Sequence, residues 1–146
     1  MRFWDTSALI SLLLREPYSE EVRRLLTEDS AIVAWWATRV ECTSAITRRT
    51  REGYISAGDA TTVRGLLKDL SASWVEVRPS SRVRELAEQS LTIYPLRAAD
   101  ALQLASALVW CEDHTEGREF VSFDRRLRSA ASSSGFAVLP GTAFDV

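Results

Sequence analysis

The sequence predicts an α/β fold, a central parallel sheet of about five strands flanked by helices. Three observations point to it. Short β-branched or aromatic runs alternate with longer helical patterns, the arrangement that crossover units around a parallel sheet produce. Pro17, Gly53, Gly58, Pro79, Pro95, Gly117, Gly135 and Gly141 fall between these segments or at their ends, and only Gly65 interrupts a helix. The chain has 146 residues, 46% of them hydrophobic, enough for one substantial core without disulfides, so a single domain over 1–146 is expected.

In chain order, the first strand is Arg2 to Trp4, and a helix near Ser7 to Leu14 follows and stops before Pro17. A second helix covers Ser19 to Thr27. The apolar run Ala31 to Trp35 is the second strand, and the helix after it, Thr38 to Arg51, ends just before Gly53. A helix over Ala57 to Leu70 leads to a third strand, Trp74 to Val77, which Pro79 closes. Helices over Ser81 to Ile93 and Ala98 to Trp110 flank Pro95. The fourth strand is Glu119 to Ser122, and the helix Arg125 to Ser132 frays through Ser134. A weaker strand, Phe136 to Leu139, precedes Pro140.

Several function classes are excluded. The early apolar run, Ala8 to Leu14, follows Asp5, precedes Arg15, Glu16 and Pro17, and lacks a small-residue cleavage site, so it does not read as a signal peptide. The stretch most like a buried helix, Ala101 to Cys111, has 11 residues, against roughly 20 needed to span a bilayer. Cys42 and Cys111 lie far apart in helical segments, as buried thiols do, which points to a reducing, cytoplasmic setting. The net charge of −2 decides nothing about a nucleic-acid partner, although 17 of the 18 cations are arginine, whose planar fork grips phosphate well.

In a parallel α/β sheet, chemistry gathers beyond the carboxyl ends of the strands. Asp5 directly follows the first strand. Glu41 sits in the first turn of the helix after the second, Asp124 closes the strand ending Val121-Ser122-Phe123, and Asp100 stands near the start of the helix leading back toward that strand. Each has a plainer reading. Asp5 or Thr6 fits an N-cap, Asp124 fits a cap for the helix at Arg125, and Thr38-Arg39-Val40-Glu41 fits a capping box. Asp100 is the only charge between Arg97 and Glu112, so it needs compensation, from an ion pair with Arg97 or from something else. Clustered carboxylates repel and protonate unless a cation neutralises them, and all-oxygen ligands favour Mg²⁺ or Mn²⁺. The one histidine, His114, lies in a polar stretch and supports neither a zinc site nor a catalytic triad.

Four blocks of residues resemble the PIN-domain family, and more narrowly its VapC-type ribonuclease toxins. They are Phe3-Trp4-Asp5-Thr6-Ser7-Ala8-Leu9, Val40-Glu41, Leu96-Arg97-Ala98-Ala99-Asp100-Ala101-Leu102 and Phe120-Val121-Ser122-Phe123-Asp124-Arg125-Arg126-Leu127. The resemblance spans nearly the whole chain and implies a single PIN-like domain with a Mg²⁺- or Mn²⁺-dependent endoribonuclease activity. It implies that Asp5, Glu41, Asp100 and Asp124 bind the metal, with Thr6 or Ser7 and Ser122 orienting acids or ligands. It also implies a homodimer and a cognate antitoxin, one of whose basic side chains competes for the acids. Trp4 replaces an expected aliphatic residue, and Gln103 stands where histidine is also frequent.

A metal there would activate water for attack on a phosphodiester and neutralise charge on its oxygens. Arg48, Arg49 and Arg51, and Arg125, Arg126 and Arg128, are candidates to guide RNA, or they complement a helix end and solvate a helix face. Trp35 and Trp36 read as core and rim packing rather than as stacking platforms. Leu12, Leu13 and Leu14 offer surface for an antitoxin helix, with at least two of the three expected in the core. A haloacid dehalogenase-type phosphatase would need an aspartate where Ser7 stands, and a receiver domain would need a late lysine, whereas the only lysine is Lys68. An inactive PIN scaffold and a housekeeping PIN nuclease remain alternatives.

Overall fold

The computed structural model describes residues 1–141. Its elements run β1 (Arg2–Trp4), α1 (Thr6–Leu13), α2 (Ser19–Glu28), β2 (Ile32–Trp35), α3 (Thr38–Arg51), α4 (Ala57–Ser73), β3 (Val75–Val77), α5 (Ser81–Ile93), α6 (Ala98–Trp110), β4 (Glu119–Val121), α7 (Arg125–Ser133) and β5 (Ala137–Leu139). The expected elements are all present. Bounds differ mainly at α4, which continues to Ser73 and runs through Gly65 unbroken.

The five strands form one parallel sheet in the order β3-β2-β1-β4-β5. The chain moves outward from the central β1 through β2 to β3, then crosses to the other side of β1 for β4 and β5. Strand order therefore reverses between β1 and β4, and beyond the carboxyl ends of those two strands the following loops part to leave a crevice. Asp5 and Ser122 are the residues that immediately follow them.

Both faces of the sheet are covered, as a parallel sheet requires. Successive side chains of a strand point to opposite faces, so Phe3, Val33, Trp35 and Phe120 join the core with α5, α6 and α7, while Trp4, Ile32, Ala34 and Val121 join the core with α1 to α4. Phe3 stacks on Phe120 at 5.0 Å between ring centroids, and Phe120 meets Phe136 at 5.5 Å. Leu13 and Leu14 are buried in the second core and Leu12 packs partly against it, so two of the three leucines near α1 are core.

The amino ends of the strands are tied by a different device. The Arg2 guanidinium, 8% exposed, donates to the Leu25 carbonyl at 2.7 Å, to Glu119 at 3.1 Å and to Glu28 at 3.3 Å. That joins β1, α2 and β4 at the pole opposite Asp5. Among the described residues no helix is long and apolar enough to cross a membrane.

Trp4 is fully buried, and its indole N–H finds no acceptor. Its large size at the centre of the sheet makes it the side chain with most to lose. Trp4→Ala is expected to lower the unfolding free energy by about 3–5 kcal/mol, measured by urea titration followed by circular dichroism. Trp4→Phe, which keeps a ring and removes the unmet donor, should cost clearly less.

Candidate functional site

Asp5 leaves β1 in extended geometry, with φ −80 and ψ 175, and caps α1. Its Oδ1 accepts the Ala8 N–H at 2.9 Å and the Ser7 hydroxyl at 2.7 Å, and its Oδ2 accepts the Ser122 hydroxyl at 2.6 Å. The two serines also receive: Phe123 N–H donates to Ser7 Oγ at 2.9 Å, and Asp124 N–H to Ser122 Oγ at 3.1 Å. The N–H of Asp5 itself donates to the Val121 carbonyl. The ends of β1 and β4 are thus laced together around one carboxylate. That carboxylate is 2% exposed, and burial raises its pKa to about 6 despite the three donors, with Asp124 pushing the same way.

Glu41 does not close the capping box that its spacing from Thr38 suggests. The N-cap of α3 is Ala37, with no side-chain bond, and Thr38 is already inside the helix and fully buried. The carboxylate of Glu41 turns instead toward residues far away in sequence. Its Oε2 accepts the Thr6 hydroxyl at 2.9 Å and the Gln103 amide at 2.8 Å. Burial raises its pKa, the two hydrogen bonds oppose that, and Asp100 adds to the rise. Gln103 is not among the residues the sequence singles out for the site. The signal was an amide standing among alanines and leucines, one turn after Asp100.

Asp100 lies in the first turn of α6, and its Oδ2 accepts the Arg97 backbone N–H at 3.2 Å. The contact is with the backbone of Arg97, and no Arg97–Asp100 ion pair is formed. Asp124 caps α7, accepting the Leu127 N–H at 2.9 Å. Burial lifts the pKa of Asp100 and Asp124 adds to it, while the Arg97 N–H and the charges of Arg97 and Arg126 hold it down.

These couplings join Glu41 to Asp100, Asp100 to Asp124 and Asp124 to Asp5. The four acids therefore share one electrostatic rim. They do not form a ready-made ligand cage: among the described residues no three come together in a way that could hold an ion as they stand. Their chemistry fits a hard divalent cation all the same. Every donor is an oxygen, three of the four acids are pushed toward protonation by burial and by a neighbouring acid, and hydrogen bonds engage one oxygen each of Glu41, Asp100 and Asp124.

The arginines divide. Arg128 donates to the carbonyls of Ser122, Pro140 and Gly141, so it braces the turn after β4 and β5. Arg49 pairs with Glu16. Arg48, Arg51, Arg125 and Arg126 are exposed, and the charge of Arg126 helps hold down the pKa of Asp100. Trp35 is buried, whereas Trp36 is 52% exposed and lines a groove along α3 with Arg39, Val40 and Arg51. Both thiols are buried, and burial, with Glu41 and Asp5 nearby, pushes Cys42 up to about 12, too high for a nucleophile. His114 is exposed, away from the rim residues in sequence and without a role here.

The raised pKa of Asp5 has a direction that can be measured. A carboxyl whose folded pKa lies above its unfolded value favours folding while protonated, so that contribution is lost as pH rises from about 4 to about 6. Leaving Asp5 ionised at neutral pH then costs the metal-free protein on the order of 3 kcal/mol. Asp5→Asn, which keeps the shape and removes the charge, should melt above the wild type at pH 7 in chelator, and the gap should close near pH 4. A variant melting no higher at pH 7 would show that the buried charge is not a source of instability.

The chain matches known proteins along its length. The family model described as PIN domain covers residues 2–132. A curated relative, Ribonuclease VapC47 of Mycobacterium tuberculosis (strain CDC 1551 / Oshkosh), is 36% identical over 143 residues, 93% of each chain. Among solved structures, Mycobacterium tuberculosis VapC20, a toxin described as cleaving the sarcin-ricin loop, superposes with a TM-score of 0.67 at 17% identity, covering 94% of this chain and 97% of its own. FitAcB of Neisseria gonorrhoeae gives 0.65 at 16% identity over 94% and 96% of the two chains. A toxin-antitoxin complex of Klebsiella pneumoniae gives 0.63 at 15% identity over 85% and 87%. The structural likenesses are matters of fold, but the family model and the relative alike extend over most of the sequence, and the chain belongs to the PIN domain family.

Proposed function

We propose that this chain is a Mg²⁺- or Mn²⁺-dependent endoribonuclease, acting in the cytoplasm as the toxin of a type II toxin-antitoxin pair. The observation that carries the reading is the rim itself. Acids from four separate elements face the crevice where strand order reverses, and each of three is destabilised as an anion until a cation arrives. The ribonuclease relative supports RNA as substrate, and the toxin-antitoxin complex of Klebsiella pneumoniae among the structural neighbours supports a protein partner.

Asp5, Glu41, Asp100 and Asp124 would hold the metal. When bound, the ion supplies an acidified water and neutralises charge on the phosphate. The protein's own part is positioning. Ser7, Ser122 and the Ala8 N–H fix Asp5, Thr6 fixes Glu41, and the helix starts that carry Asp100 and Asp124 turn partial positive charge toward the rim. Arg126, exposed and close enough to influence Asp100, is placed to draw a phosphodiester in. The basic side chain of an antitoxin would be attracted to the same acids for the same Coulombic reason.

Purified protein freed of partner should cleave single-stranded or looped RNA only with Mg²⁺ or Mn²⁺ and stop on chelation; cleavage in excess chelator sinks the metal mechanism. Asp5→Asn and Asp100→Asn should remain folded and lose at least about a hundredfold in rate. A folded Asp100→Asn variant with full activity would return that residue to capping alone.

The partner reading has its own check. Co-expression with the small reading frame expected beside the gene should yield a stable complex in which cleavage is suppressed, and light scattering should give the free toxin the mass of a homodimer. A neighbouring product that does not bind, with a folded, metal-loaded protein harmless to cells, leaves a housekeeping PIN nuclease in place of a toxin.

A further inference from the structure

The least explained side chain near the rim is Gln103. It sits on α6 one turn after Asp100, is 2% exposed, and presents its amide nitrogen to three oxygens at once. These are Glu41 Oε2 at 2.8 Å, Thr6 Oγ1 at 3.0 Å and Thr38 Oγ1 at 3.1 Å. A primary amide has only two hydrogens. The shortest contact is to the carboxylate, where a donor is worth most, and the two threonine hydroxyls compete for the second. Thr6 donates its own proton to the same Glu41 oxygen, so it meets Gln103 with a lone pair.

The other end of the amide is unmet. Gln103 Oε1 is buried and has no hydrogen-bond partner. Exchanging the two ends would bring a carbonyl against the Glu41 carboxylate, acceptor against acceptor, so Glu41 dictates which way the amide faces. A leucine or methionine at this point of an alanine- and leucine-rich helix would remove the orphaned Oε1, but it would also take the amide hydrogen bond from the fully buried Thr38 hydroxyl. On stability alone the exchange comes out nearly even, one orphaned oxygen for another. Glutamine is well explained by what it does to Glu41.

We propose that Gln103 is a positioning residue for the metal site: it takes Oε2 of Glu41 and fixes the carboxylate, so that Oε1 would stay open to an ion. The proposal rests on the reading of Glu41 as a metal ligand. Because α6 carries both Asp100 and Gln103, one rigid helix sets one acid directly and a second through its amide. Groups that orient a ligand in this way commonly matter to metal affinity nearly as much as the ligands do.

The test uses full-length protein stripped with chelator, with Mn²⁺ binding followed by calorimetry and RNA cleavage measured at saturating Mn²⁺. Gln103→Met removes the donor and the orphan carbonyl together while keeping the length of the side chain. It should melt near the wild type, because losing the orphaned Oε1 offsets the bond that Thr38 loses, bind Mn²⁺ about tenfold or more weakly, and lose kcat while KM for RNA holds. Gln103→His, which retains an N–H donor, should bind Mn²⁺ close to wild type. A purely structural role would move the melting temperature and leave Mn²⁺ affinity alone. If Gln103→Met does not fold, Gln103→Asn serves in its place, since it keeps the amide but is too short to reach Glu41.

A folded Gln103→Met or Gln103→Asn variant with wild-type Mn²⁺ affinity overturns the positioning role and leaves the nuclease reading standing. A wild-type protein that binds no Mn²⁺ overturns the ligand reading of Glu41, and the proposal falls with it. The two failures are thus told apart by the wild-type titration alone.

Discussion

A carboxylate withdrawn from water at the end of a central strand must be held by donors or it gives up its charge, and the arrangement around Asp5 follows from that constraint. Its three donors come from the first turn of α1 and from the residue after β4. The serines that donate are themselves fixed by the N–H groups of Phe123 and Asp124. Holding one anion therefore sets the spacing of β1 and β4, the entry angle of α1 and the start of α7. These are the elements that bring Asp5 and Asp124 to the same rim.

The molecule separates two kinds of work between the poles of its sheet. At the amino ends of the strands, Arg2 is almost fully paired with acids and a carbonyl, an arrangement that closes the fold. At the carboxyl ends, three acids have raised pKa values through burial and a neighbouring acid, an arrangement that disfavours their charged forms. Stability lost at one pole is tolerated because the other pole and two apolar layers supply it. Gln103, with an unpaired carbonyl, belongs to the pole that gives stability up.

Much of this was legible in the residues alone, for local reasons. Glycine and proline mark element ends through backbone sterics, and alternation marks strands, so bounds such as Thr38–Arg51 and Ser81–Ile93 could be read directly. Asp5 and Asp124 were legible because topology places strand ends at the crevice. Glu41 was legible as an acid near the crevice but not in its contacts, since a capping rule looks three residues ahead while Thr6 and Gln103 lie 35 and 62 residues away. The arginines were undecided for the same reason. Whether Arg128 grips carbonyls or Arg49 meets Glu16 depends on how distant segments fold back, and charge patterning along one helix holds no record of it.

The bond between Ser122 and Asp5 joins residues 117 apart. During synthesis, Asp5 leaves the ribosome early and waits for nearly the whole chain before its second oxygen is satisfied and Asp124 stands beside it. A nascent or truncated chain therefore carries some of the acids but cannot assemble the rim.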